Sequence, residues 1–123
     1  MLIAVAYGMA VLLGLAIIVI GVRFLVVPGS SAAAFGVPAK KDGDAAYLAV
    51  KGVRDITCGV TGLVLLALAG GHAAGLFMLA ATLTPLGDTV IVLRHGGTKA
   101  MAFGVHSATA VVMLAVAVLL LTT

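Results

Sequence analysis

Four long apolar runs limit the possible folds of this chain more than any other feature of its sequence. They cover about residues 2–27, 45–69, 73–93 and 100–121. Each is close to the ~20 residues that a helix needs to cross a bilayer. The runs are rich in Ala and Leu and lack the alternation of polar and apolar residues that marks strands. We therefore predict an all-α fold, a four-transmembrane-helix bundle that forms a single domain over residues 1–123.

The composition supports lipid as the solvent of this chain. Hydrophobic residues make up 63% of it and charged residues 9%, whereas soluble domains have roughly 45–50% and about 25%. A soluble fold of 123 residues could not bury so much apolar surface. The single Cys58 gives neither a disulfide framework nor a zinc-binding spacing. We expect the lipid bilayer as a partner and no nucleic acid.

The charges between the runs predict the orientation of the bundle. With four crossings, the loops 29–44 and 94–99 lie on one side of the membrane, and the termini lie on the other with the turn 70–72. All seven Lys and Arg residues belong to the side of the two loops. The positive-inside rule then predicts a multi-pass protein of the plasma (inner) membrane with cytoplasmic charged loops and both termini outside.

Ionisable side chains inside the apolar runs also limit how the helices can pack. A charge within hydrocarbon costs about 2.5–3.5 kcal/mol on insertion scales, so such residues usually pair and face the interior. Each predicted helix carries at least one of them at a similar depth: Arg23, Lys51, Arg54, Asp55, Asp88 and His106. We predict that they meet in a polar pocket that opens toward the cytoplasmic face. The alternatives are a purely structural salt-bridge knot, and snorkelling of Arg23 and Lys51 toward the headgroups.

The second helix carries most of these groups. Residues three and four apart share a helical face, so Lys51 neighbours both Arg54 and Asp55, and Tyr47 lies one turn before it. These groups lie on the order of 9–15 Å below the cytoplasmic end of the helix. Asp55 requires a cation at that depth, and we expect Lys51 or Arg54 to supply it.

The third and fourth helices each add one titratable group. Asp88 lies about one and a half turns before the cytoplasmic end of the third helix. Pro85 interrupts that helix three residues earlier, and Thr84, one turn before Asp88, could donate a hydrogen bond to the carboxylate. His106 lies about two turns into the fourth helix, where it is either a proton carrier or an ordinary core histidine.

Carboxylates, cations and an imidazole at one depth suit acid–base chemistry. Asp55 and Asp88 are the candidate acid and base, and Arg54 would orient a carboxylate or hold a developing anion while His106 moves the proton. The candidate catalytic residues are Asp55, Asp88, His106 and Arg54, and the candidate substrate-binding residues are Arg23, Lys51, Tyr47 and Thr84. We expect a cofactor-free isomerase, cyclase or epoxide-opening enzyme that acts on a lipophilic small molecule from the bilayer.

Two other functional classes fit the same residues. Converging cations suit a transporter or binder of an anionic ligand, coupled to protons through Asp88 and His106. The ion pairs could instead fix helix register in a structural or assembly subunit of a membrane complex. We expect no metal, because the sequence has no HxxxH or ExxH spacing and three cations lie near the carboxylates.

Small residues at four-residue spacing form two ridges that suit close helix contact. The ridges are Ala6, Ala10 and Gly14, and Ala100, Gly104 and Ala108. In so Ala- and Gly-rich a chain they fit packing within the bundle better than a dimer face, and they leave a homo-oligomer open.

Short motifs along the chain resemble those of one family. They are Phe35–Pro38 after Arg23, Val50–Asp55, Pro85–Asp88, Arg94–Gly97 and Val105–Ala110. Their combination, over about residues 14–117, resembles a family of small multi-pass membrane proteins known as domain of unknown function 4267. The resemblance implies an integral four-helix membrane protein, and it carries no activity, cofactor or site residue over to this chain.

Overall fold

The computed structural model of the protein describes residues 1–40 and 43–123; Lys41 and Asp42, in the predicted 29–44 loop, lie outside the described residues. Of the described residues, 86% are helical and none is in a strand, which confirms the all-α prediction. The helices are α1 (Leu2–Val26), α2 (Pro28–Phe35), α3 (Ala45–Leu68), α4 (Gly71–Ala81), α5 (Leu83–Arg94), α6 (Lys99–Met101), a π-helical segment (Ala102–Ser107) and α7 (Ala108–Thr122).

Three helices are long and apolar enough to cross a membrane. They are α1, the combined α4–α5 helix (Gly71–Arg94) and the combined helix from α6 through α7 (Lys99–Thr122). The 24-residue α3 is of similar length, but Lys51, Arg54 and Asp55 make it too charged to count with them on composition alone. The protein is therefore of the membrane type, with three candidate spans by length and composition.

One helix lies where the sequence predicted a loop. Pro28 begins α2, and proline suits the first helical turn because its missing N–H would have no partner there. Gly36 ends α2 in the left-handed region, with a φ of 109°, which a residue with a Cβ adopts only at a cost. Ser31 ties α2 to the end of α1, because its Oγ donates to the Val27 carbonyl at 2.8 Å. This short helix places Phe35 against Phe24 of α1.

The third long helix is broken where Pro85 predicted an interruption. The break lies at Thr82, between α4 and α5. A proline has no N–H to donate back into the preceding turn, so regular hydrogen bonding cannot continue through this point. The break precedes the turn of α5 that carries Asp88.

Glycine allows α1 and α3 to approach until their backbones touch. A Cβ on Gly21 would lie 2.5 Å from the Gly52 carbonyl oxygen, and a Cβ on Gly52 would lie 2.6 Å from the Gly21 oxygen. Farther along, a Cβ on Gly59 would lie 2.6 Å from the Gly14 oxygen. In lipid no hydrophobic effect drives helices together, and small residues stabilise the pair by allowing close van der Waals contact between the backbones.

Of the two predicted ridges, only the first lies inside the bundle. Ala6 and Ala10 are buried in a core with Leu66, Ala74, Val116 and Leu120. The residues of the second ridge, Ala100, Gly104 and Ala108, are exposed.

Gly59→Ala is expected to lower the free energy of unfolding by about 1–3 kcal/mol, the usual cost of overpacking. The added methyl would collide with the α1 backbone. Gly62→Ala is the matched control, because Gly62 is also on α3 and has nothing within 4 Å of its Cβ position. That control should be neutral or stabilise by up to about 1 kcal/mol, since Ala is the better helix former. Thermal unfolding in detergent would compare the two, and equal effects would contradict the close contact.

Candidate functional site

Lys51 and Asp55 form an ion pair on α3. Lys51 Nζ lies 2.6 Å from Asp55 Oδ2, and Asp55 is buried, with 8% of its surface exposed. Of the two cations expected for Asp55, the structure therefore selects Lys51. Arg54 is exposed, because it is one residue from Asp55 and points about 100° away around the helix.

Two aromatic rings hold the Lys51 ammonium group beside Asp55. Nζ lies 4.4 Å from the ring centroid of Phe24 and 5.0 Å from that of Phe35. The rings themselves meet edge to face, with centroids 6.4 Å apart. A cation over an aromatic face is attracted by the negative charge of the π system. The ion pair and the two rings thus hold Lys51 against the bundle, with 28% of its side chain exposed.

His106 is buried in the π-helical segment and anchored through one ring nitrogen. Its Nε2 lies 2.7 Å from the Phe35 carbonyl oxygen, and the two rings are stacked at a tilt with centroids 4.4 Å apart. Because a carbonyl oxygen can only accept, Nε2 carries the hydrogen of this bond. In the neutral imidazole, Nδ1 is then the nitrogen with a free lone pair.

The second nitrogen of His106 faces Asp88. Nδ1 lies 3.9 Å from Asp88 Oδ2, and the two side chains are 8% and 21% exposed. The Phe35 ring links this pair to Lys51, because its centroid lies 5.0 Å from Lys51 Nζ and 4.4 Å from the centroid of the His106 ring. We call Lys51, Asp55, Asp88 and His106 the polar cluster. It joins α3, α5 and the π-helical segment, and the Phe35 ring contacts both its lysine and its histidine.

The other four candidates do not join the polar cluster. Arg23, Tyr47, Arg54 and Thr84 are all exposed. Arg23 and Thr84 directly precede buried residues, Phe24 and Pro85, so the turn of the helix directs them outward. Within the described ranges, Thr84 makes no hydrogen bond to Asp88, contrary to expectation.

Thr89 and Phe35 were missed in the sequence. Thr89 Oγ1 lies 3.2 Å from the Ala102 carbonyl oxygen and 3.0 Å from Ser107 Oγ, and these contacts join α5 to the π-helical segment. Thr and Ser commonly bridge membrane helices in this way, which is a signal that could have singled out Thr89. No sequence rule indicates that Phe35 offers its carbonyl to His106, 71 residues away.

Two surface cavities lie away from the polar cluster. One, of about 370 Å³, is lined by residues that include Tyr7, His72 and Thr122. The other, of about 390 Å³, lies along α7 and is lined by residues that include Leu13, Gly104 and Ala108. Neither has a polar-cluster residue in its lining. The predicted polar pocket therefore remains a prediction. Among residues 1–40 and 43–123, three or more His, Cys, Asp or Glu side chains nowhere converge as metal ligands would.

Comparison with known proteins places the chain in a family without giving it an activity. No curated protein and no solved structure matches it. The family model described as Domain of unknown function (DUF4267) matches residues 14–120, a stretch that contains the whole polar cluster. This match confirms the resemblance seen in the motifs, and the chain belongs to the DUF4267 family.

Proposed function

We propose that the chain is an intramembrane acid–base enzyme that converts a lipophilic small molecule by isomerisation, cyclisation or epoxide opening. Asp88 and His106 are its proton-exchanging pair. The observation that carries the proposal is the anchored imidazole: Nε2 donates to the Phe35 carbonyl, so that Nδ1 faces Asp88 Oδ2 at 3.9 Å.

The anchored ring can take and return a proton without moving. When Nδ1 gains a proton, the imidazolium has the Asp88 carboxylate on one side and the Phe35 carbonyl on the other. When Nδ1 loses the proton, the neutral ring keeps its Nε2–H bond. A general acid–base catalyst needs both states in one geometry. A core histidine needs only to have its polar atoms satisfied.

Lys51 and Asp55 have an electrostatic role in this proposal. In their ion pair, Asp55 Oδ2 lies 2.6 Å from Lys51 Nζ, so Asp55 serves to hold the cation where the sequence suggested an acid or base. The Lys51 ammonium contacts the same Phe35 ring as the His106 imidazole, and a positioned cation stabilises negative charge that develops on a reacting oxygen.

The proposal includes α3 as a fourth membrane crossing. Its buried carboxylate is paired with Lys51, which lowers the cost of placing it in hydrocarbon, and its glycines fit directly against α1. The charged loop before α3 and the charged loop after α5 would then both face the cytoplasm.

A cysteine-labelling experiment tests the fourth crossing. In a Cys58→Ala background, Gly43→Cys and His95→Cys place single thiols before α3 and after α5. If α3 crosses, a membrane-impermeant maleimide should label both from the same side of sealed vesicles. If α3 does not cross, the two sites must react from opposite sides, because the combined α4–α5 helix is then the only crossing between them.

The enzymatic function is tested with purified protein in lipid nanodiscs. We would incubate it with the lipophilic extract of source cells that lack the gene and compare the components by mass spectrometry. The proposal predicts that one component is consumed and an isomer or water adduct appears. Uptake of an unchanged component into liposomes would show a transporter instead. A structural subunit would be shown by a different result: the lipophilic extract stays unchanged, and a partner protein is lost from detergent-solubilised membranes of the deletion strain.

A further inference from the structure

Two hydroxyl side chains lie beside the Asp88–His106 pair in sequence and meet each other in space. Thr89 follows Asp88 on α5, and Ser107 follows His106 at the end of the π-helical segment. Their oxygens are 3.0 Å apart, and Thr89 is buried. Each hydroxyl residue is therefore the direct neighbour in sequence of one member of the acid–base pair.

One arrangement of the hydroxyl hydrogens satisfies most of these polar groups. Thr89 has one hydroxyl hydrogen and two carbonyl acceptors in range, Pro85 O at 3.0 Å and Ala102 O at 3.2 Å. A carbonyl only accepts, so all three contacts are best used when the Thr89 hydrogen goes to a carbonyl and Ser107 donates its own hydrogen to Thr89 Oγ1. Thr89 thereby contacts the first and the last residue of the π-helical segment, Ala102 and Ser107.

The π-helical segment is what directs His106 inward. Ala102, His106 and Ala110 are all buried at four-residue spacing. In a regular α-helix this spacing drifts around the axis by roughly 40° per step. A π turn, with its i→i+5 hydrogen bonds, takes up more residues per turn and reduces that drift. Such segments are rare and need support, which the contacts of Thr89 provide.

We propose that Thr89 is a positioning residue that sets the 3.9 Å separation between His106 Nδ1 and Asp88 Oδ2. By holding Ser107 and Ala102, it fixes the backbone that carries His106 relative to the backbone that carries Asp88. The catalytic meaning of this role rests on the proposed function, but the separation itself is measurable without a substrate.

Solid-state NMR on the full chain in liposomes tests the proposal. With ¹³Cγ-labelled aspartate and ¹⁵N-labelled histidine, the Asp88–His106 pair should give the strongest carbon–nitrogen coupling, since no other Asp–His pair in the described parts of the chain comes within 4 Å. Thr89→Val removes the hydroxyl and keeps the shape. We expect it to lengthen the separation by about 1 Å, a displacement that matters for proton transfer, and so to reduce the coupling by roughly half. Thr89→Ser, which keeps the hydroxyl, should preserve it.

Ser107→Ala is the second variant, because it removes the contact with Ser107 and leaves the Thr89 hydroxyl its two carbonyl acceptors. It should weaken the coupling in the same direction, and it keeps the test decisive if Thr89→Val does not fold. An unchanged coupling in a folded Thr89→Val protein, or in Ser107→Ala if Thr89→Val does not fold, would overturn the inference. If the coupling falls as expected but the wild-type protein converts nothing, the positioning role stands and the enzymatic proposal fails.

Discussion

Asp88→Asn and His106→Gln are each expected to reduce turnover by about 10²–10⁴-fold, the usual contribution of general acid–base catalysis. Asn keeps the shape of Asp88 but cannot exchange a proton. Gln can still donate to the Phe35 carbonyl, which His106 Nε2 contacts at 2.7 Å, but it has no basic nitrogen. The rate is measured as conversion of the component that the wild-type protein consumes from the extract.

Asp44→Asn is the matched control for these variants. It makes the same chemical change at a carboxylate that precedes α3 and accepts the Lys40 backbone N–H at 2.6 Å. Its turnover should equal that of the wild type. Unfolding curves must show that Asp88→Asn and His106→Gln remain folded. Unchanged turnover in either folded variant would remove Asp88 and His106 from the catalytic assignment.

Lys51→Met is expected to lower the free energy of unfolding by about 3 kcal/mol, the lower end of the cost of breaking a buried ion pair. The change leaves Asp55, which is 8% exposed, without the cation at 2.6 Å. It also removes the charge that contacts the rings of Phe24 and Phe35. Asp55→Asn should cost less, because Lys51 keeps both rings.

The double variant Lys51→Met/Asp55→Leu separates the two contributions. Replacing a whole buried pair by apolar side chains is often neutral, so the double variant should recover most of the stability that Lys51→Met loses. Arg54→Met on the same helix is the control, since Arg54 is exposed and surface changes usually stay within about 0.5 kcal/mol. Chemical denaturation in detergent measures all four proteins. Equal stability of Lys51→Met and Arg54→Met would contradict the account of the ion pair.

The sequence predicted those features that depend on local periodicity. Long apolar runs without alternation predicted the all-α fold, and the spacing of four between Lys51 and Asp55 predicted an ion pair on one helical face. The sequence did not decide whether Lys51 or Arg54 pairs with Asp55, because that choice depends on which face of α3 turns toward α1. Arg23 and Thr84 were grouped with the site by depth alone, and depth does not fix the direction around a helix axis.

Features that depend on contacts between distant segments were not predictable. The anchor of His106 is a backbone carbonyl 71 residues earlier, and any residue type has such a carbonyl. The π-helical segment also leaves no pattern in the sequence, since it depends on how Thr89 of α5 holds Ala102 and Ser107. α2 was hidden within an apparent loop because eight residues are too few for a clear helical period.

The ¹⁵N NMR spectrum of His106 tests the central claim most directly. In a His72→Gln/His95→Gln background, His106 is the only histidine of the chain, and its two ring nitrogens can be assigned in liposomes. The account predicts that the neutral ring carries its hydrogen on Nε2, where the Phe35 carbonyl accepts it, and that the Nδ1 signal shifts when Asp88 is changed to Asn. A neutral ring with its hydrogen on Nδ1, or an Nδ1 signal that does not respond to Asp88→Asn, would contradict it.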